Sequence, residues 1–223
     1  MSEISVRLPD GNTLVVSHGS TVLQVAERIG PGLAKAALAG RINGQVVDLR
    51  SPLYEDTSIK IVTAKSEDGG DVIRHSAEHV MADAVKRLFP NAQVDAGRAD
   101  HSEKFQYDFL VAEPFTPEDL ERIEKEMQAI IAEDKPFTRE VVARDDAKAR
   151  FQSMGEELKL SRIDDIPEDA EIPLFGHGAF TDLCRGPHVG STKQIGAIKL
   201  TEASGTYFRG DESSHKLQRI YGT

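Results

Sequence analysis

Residues 4–17 read ISVRLPDGNTLVVS, two short runs of alternating apolar and polar side chains around Asp10-Gly11-Asn12. Alternation puts every second side chain on one face, as a half-buried strand requires, and Asp-Gly-Asn is turn chemistry. A hairpin is expected. STVLQVAERIG (20–30) changes the period: Val22, Val25, Ala26 and Ile29 share one helical face, with Ser20 or Thr21 placed to cap it and Gly30 to end it. A second hairpin signal, Asn43-Gly44, lies within RINGQVVDL (41–49), and SIKIVTA (58–64) reads as a last strand. Strand, strand, helix and strands inside 64 residues describe a small sheet with one helix packed across it.

That layout is the β-grasp, or ubiquitin-like, arrangement. It ends at the charged, glycine-bearing KSEDGGD (65–71), so the expected domains are 1–64 and 71–223, joined by a linker at 65–70. The second segment mixes helix and strand. A helix is expected from about Val72 to Phe89, stopped by Pro90. Thr116-Pro117-Glu118-Asp119 starts another as a capping box with proline in its first turn, and Leu120, Ile123, Met127, Ile130 and Ile131 keep helical spacing. FTREVVA (137–143) reads as a strand and DDAKARFQSM (145–154) as a third helix. After Glu168 the chain turns to short strands and glycine turns. The fold class is α+β: a small β-grasp domain, then a larger α+β domain with an antiparallel sheet and packed helices.

Composition excludes several classes. The 223 residues are 39% hydrophobic and 29% charged, ordinary for a water-soluble globular chain, and no apolar run approaches the roughly 20 residues of a membrane span. The start, MSEISVRLPDGN, lacks the pattern of a signal peptide, and the single cysteine, Cys184, permits no internal disulfide. A cytoplasmic protein with no membrane contact is expected. The net charge of −10 argues against holding nucleic acid by general electrostatics, so any such contact is local or completed elsewhere.

Two motifs carry chemistry. In RHSAEH (74–79), His75 and His79 stand one helical turn apart, away from the apolar stripe of the helix. With Glu78 the stretch matches H-x-x-E-H, an inverted zinc-protease signature, although Glu78 is equally an exposed helix residue by this pattern. In TDLCRGPHVG (181–190), Cys184 and His188 are again four apart, but Gly186 and Pro187 forbid a helix and make a turn that presents both side chains. Three site types suit the set: a tetrahedral zinc site, a cysteine nucleophile with a histidine base oriented by Asp182, or neutral imidazoles activating water. The residues alone leave the choice open.

RHSAEHVMADAVKRLFP, MGEELK, DLCRGPHV and SGTYFRGDESSHKLQRIYGT resemble the amino-terminal half of the bacterial threonyl-tRNA synthetase family, and IGPGLAKAALAG with INGQVVDL resembles its TGS domain. The resemblance covers essentially the whole chain. It implies a TGS domain at 1–64 and, at 71–223, an editing domain that hydrolyses serine mischarged on threonine tRNA. Its implied partner is the aminoacylated 3′ end of tRNA, serine and terminal adenosine, and it implies a homodimer for the full-length enzyme. It further implies catalytic residues His75, His79, Lys159, Cys184 and His188, with Asp182, Tyr107 and Gly97 binding substrate. His75 and Lys159 would position ester and water while His79, Cys184 and His188 shape the pocket. No metal or cofactor is expected here, since the family's zinc and ATP belong to an aminoacylation core beyond this stretch. One element departs: family members carry GFYYDF where this chain has EKFQYDF (103–109), so the loop 98–104 follows its own pattern. Two alternatives stand beside this: a zinc-dependent deacylase of the alanine-type editing class, and a non-catalytic RNA-binding module.

Overall fold

In the computed structural model, which describes residues 2–223, the opening stretch is a hairpin of β1 (Glu3–Arg7) and β2 (Thr13–Ser17). Ile4, Val6 and Val16 face inward while the alternate residues face solvent. Helix α1 (Val22–Ile29) is capped by Thr21 in a reciprocal capping box with Gln24. It buries Val22, Val25 and Ala26, but Ile29, expected on the same face, is 39% exposed because the chain turns away at Gly30. A short helix, α2 (Pro31–Ala36), follows where the residues show no periodic signal, started by Pro31 in its first turn. Then come β3 (Ala37–Ile42), β4 (Gln45–Val47) and β5 (Thr57–Thr63). The sheet order is β2-β1-β5-β3-β4, with β1 and β5 parallel and the other pairs antiparallel. This is the expected β-grasp.

The second region begins with α3 (Gly69–Leu88), which starts inside the expected linker because Arg41 holds Asp68 (Nε–Oδ2 2.9 Å) and ties the turn to β3. Strands β6 (Gln93–Gly97) and β7 (Phe105–Leu110) follow, then α4 (Pro117–Ala132), whose Thr116–Asp119 capping box forms as expected. Next are β8 (Phe137–Val142), α5 (Arg144–Ser153), α6 (Glu157–Asp164), β9 (Ile172–His177), β10 (Phe180–Leu183), β11 (Leu200–Tyr207) and β12 (Lys216–Gly222). They make two antiparallel sheets rather than one: β10-β9-β8 and β11-β12-β7-β6.

Helix α3 is the axis of this region. Val72, Ala77, Val80, Met81, Ala84 and Val85 pack with Phe105, Phe109, Ile123, Met127 and Ile130 in the main core. Leu38, Ala39 and Val62 of the β-grasp belong to that same core, so the two domains share buried surface. Burying apolar area at roughly 25 cal/mol per Å² makes such a shared core a real constraint on domain separation. Among the described residues no helix is long and apolar enough to cross a membrane.

Candidate active site

Helix α3 is buried over most of its circumference, so its polar residues at 75–79 meet protein rather than bulk water. Ser76, Glu78 and His79 are each no more than 2% exposed. Opposite them runs the segment after β10, an irregular stretch carrying Cys184 and His188. Its Gly186 adopts φ +72°, and a Cβ there would lie 2.7 Å from the Phe175 ring, so only glycine lets the turn sit this close.

The structure brings the two motifs into one cluster. Sγ of Cys184 lies 3.2 Å from His75 Nε2 and 3.3 Å from His188 Nε2. The ring of His188 lies 4.3 Å from that of His75 and 4.1 Å from that of His79, and stacks on Phe137 at 5.1 Å. Backbone groups decide the tautomers. The carbonyl of Pro187 can only accept, so His75 donates Nδ1–H to it (3.1 Å) and keeps a lone pair on Nε2. Ser76 spends its hydroxyl proton on Val72 O (2.7 Å) and therefore accepts from His188 Nδ1 (3.3 Å), leaving the His188 Nε2 lone pair facing sulfur. Burial holds both rings neutral: His75 titrates below the ordinary imidazole range and His188 well below it, the latter helped by the neighbouring His79, His75 and Arg50.

A second group closes the other wall. Lys159 on α6 donates to Asp182 Oδ1 (2.6 Å) and to the Tyr107 hydroxyl (2.9 Å), and that hydroxyl donates to Asp182 Oδ2 in a short contact. Asp182 also accepts from Leu183 N (2.7 Å). Lys159 and Asp182 are 3% and 1% exposed. Burial, and then the Asp182 carboxylate, push the Tyr107 hydroxyl well above its usual range, so it stays protonated. His75, His79, Gly97, Tyr107, Lys159 and Cys184 together line a cavity of about 230 Å³, as do Asp95, Arg98 and Arg162. Arg162 grips Asp95 through two bonds of 2.7 and 2.8 Å. All eight residues singled out from the sequence therefore surround or back one cavity.

Glu78 corrects the reading of it as an exposed helix residue. It is 1% exposed, and its Oε1 accepts from the backbone of Arg98 (3.0 Å) and Gln106 (3.1 Å), while Oε2 lies 3.1 Å from His101 Nε2. Any side chain at Gly97 would collide with this carboxylate, which accounts for the glycine there. Glu78 thus pins the divergent loop and draws His101 over His75, ring centroids 4.6 Å apart. No periodicity exposes such a role, because the partners lie on a loop that covers the helix only in the fold. Glu78→Ala is expected to cost about 1–3 kcal/mol, since it leaves two backbone donors unpaired. Hydrogen exchange should show the amides of Arg98 and Gln106 losing protection; unchanged protection would refute the anchoring.

The four donors of His75, His79, Cys184 and His188 all lie within 4.8 Å of one another, and the buried His79 Nδ1 has no hydrogen-bond partner among the described residues. Three imidazoles and a thiol suit zinc chemically.

Comparison with known proteins names the parts. The model of the TGS domain matches residues 4–63, and that of the threonyl and alanyl tRNA synthetase second additional domain matches residues 165–221. The threonine–tRNA ligases of Burkholderia multivorans and Burkholderia vietnamiensis are each 52% identical over 220 residues, and that of Burkholderia ambifaria 51%. Each alignment takes in 99% of this chain and 34% of the relative, so the chain spans about a third of the length of the curated relatives it matches. Among solved structures, a designed protein based on ubiquitin is 23% identical with a TM-score of 0.23, over 29% of this chain and 89% of that one. The chain carries a TGS domain and the second additional domain of threonyl and alanyl tRNA synthetases, and over 99% of its length it is similar to the amino-terminal region of bacterial threonine–tRNA ligase.

Proposed function

We propose that this chain hydrolyses the ester that joins serine to the terminal adenosine of threonine tRNA, removing a mischarged amino acid. The observation that carries this reading is the cavity walled by the buried Lys159 ammonium on one side and the neutral His75 imidazole on the other. Water attacks the ester carbonyl as the His75 Nε2 lone pair accepts its proton. Negative charge then gathers on the carbonyl oxygen beside Lys159, whose ammonium stabilises it. The new carbon–oxygen bond forms, the bond to the ribose oxygen breaks, and the imidazolium returns its proton to that oxygen, giving serine and an intact 3′ end. Gly97 and Tyr107 line the acyl and adenosine side, and Asp182 orients Lys159, its role toward the substrate ammonium resting on the resemblance. His79, Cys184 and His188 shape the wall.

Serine differs from threonine by one methyl group, which pocket contacts discriminate by only roughly 10- to 200-fold. A second, smaller cavity that excludes threonine supplies the missing selectivity. The reading includes tRNA as partner and a cytoplasmic location; homodimer formation by a longer protein rests on the resemblance alone.

The test is deacylation of threonine tRNA charged with serine or with threonine, with and without chelator. Loss of the seryl ester alone, unaffected by chelator, is the expected result. Equal loss of both esters, or of neither, overturns it. The converging His75, His79, Cys184 and His188 donors favour a second reading, in which they hold zinc and the ion supplies a bound water of lowered pKa. Activity abolished by chelation and restored by zinc selects that reading.

A further inference from the structure

His188 sits in a stretch with no strand or helix partners, so its backbone polar groups must be satisfied in some other way. They are satisfied from the TGS domain. Asp48, 4% exposed, accepts from His188 N at 2.9 Å through Oδ2. Arg50 Nη1 donates to His188 O at 3.1 Å, Nη2 to Val189 O at 2.5 Å, and Nε to Phe137 O at 3.0 Å. Arg50 Nη1 also grips both oxygens of Asp48 at 2.8 Å, and the Arg50 amide donates to Asp48 Oδ1 at 2.8 Å. The pair is therefore a rigid bracket that holds His188 on both its N–H and its C=O, and holds the start of β8 whose Phe137 ring stacks on the imidazole.

We propose that the TGS domain is a working part of the hydrolytic site, with Asp48 and Arg50 as positioning residues for His188; this rests on the hydrolytic reading above. From the other side Ser76 accepts from Val189 N at 3.0 Å and from the His188 ring, and His75 donates to Pro187 O at 3.1 Å. With the bracket removed, His188 keeps its ring contacts but loses the backbone register that aims Nε2 at Cys184. The domain interface is thus specific at the catalytic loop, in addition to the shared core of Leu38, Ala39 and Val62. Gln194 adds a second tie outside the site, donating to Lys35 O (3.1 Å) and Ala37 O (3.2 Å).

The experiment uses the full chain with Arg50→Met and the isosteric Asp48→Asn, each measured for deacylation of seryl threonine tRNA. A misplacement of about 1 Å costs up to roughly 100-fold in rate, so kcat is expected to fall about 10- to 100-fold in Arg50→Met, with KM within about twofold. Asp48→Asn should show a smaller fall of the same kind, and Arg50→Lys should recover little, because an ammonium cannot span Asp48 and three carbonyls. In parallel, ¹⁵N spectra of the His188 amide and imidazole are expected to move in Arg50→Met and Asp48→Asn. Unchanged kcat in both variants overturns the proposal. Should the parent itself not deacylate, the hydrolytic reading fails, and the spectra still decide the positioning: His188 signals identical to the parent in both variants overturn it, and displaced signals support it. If Arg50→Met does not fold, the same two readouts are taken from Asp48→Asn.

Discussion

Replacing Lys159 by alanine is expected to slow ester hydrolysis by about 10²- to 10³-fold, the scale on which a single charge-stabilising donor matters. It is also expected to destabilise the protein by about 3–5 kcal/mol, because Asp182 is left as an unpaired buried carboxylate. The two effects separate in a double variant. Lys159→Met with Asp182→Asn removes both charges and keeps an oxygen that accepts from the Tyr107 hydroxyl, so most of the stability should return while hydrolysis does not. Denaturant unfolding and single-turnover deacylation on the same samples check this. Deacylation within about twofold of the parent would remove Lys159 from the chemistry, since losing a transition-state contact cannot leave the rate intact. A double variant no more stable than Lys159→Ala would show that the ion pair is not the cause of the loss.

His75→Ala is expected to lower the rate by roughly 10²- to 10⁴-fold, the contribution of a positioned general base. The parent's pH profile supplies the independent check. The active form of this base is neutral imidazole, and burial disfavours the imidazolium, so the His75 pKa lies below the ordinary 6.5. The nearby Glu78 carboxylate and the Pro187 carbonyl oppose that shift without cancelling it. The midpoint of the acid limb of the rate is therefore expected below pH 6.5. An acid limb above it would contradict a buried neutral base at this position.

Local signals account for much of the fold. The Asp10-Gly11-Asn12 turn, the Thr21 cap and the Thr116–Asp119 capping box are decided by residues within a few positions of one another, and each forms as the sequence indicates. Helices α2 and α6 are not legible in this way: they are short, and neither has a side-chain cap. Yet α6 carries Lys159. Its role came into view only through the resemblance of the MGEELK stretch, because the partners that give the ammonium its place, Tyr107 and Asp182, lie 52 and 23 positions away.

The site divides along the same line. By itself the sequence determined which residues can bear the chemistry: two histidines one helical turn apart on α3, and a cysteine and histidine on a turn that glycine and proline keep from being helical. Only the tertiary structure decided that these pairs meet, that Glu78 is a buried anchor, that His101 closes over His75, and that Asp48 and Arg50 reach across from the other domain to hold His188. Backbone propensity and hydrophobic period act over a few residues and are written in the local order of the chain. The burial that keeps an imidazole neutral and pairs a lysine with an aspartate depends on which distant segments exclude water together.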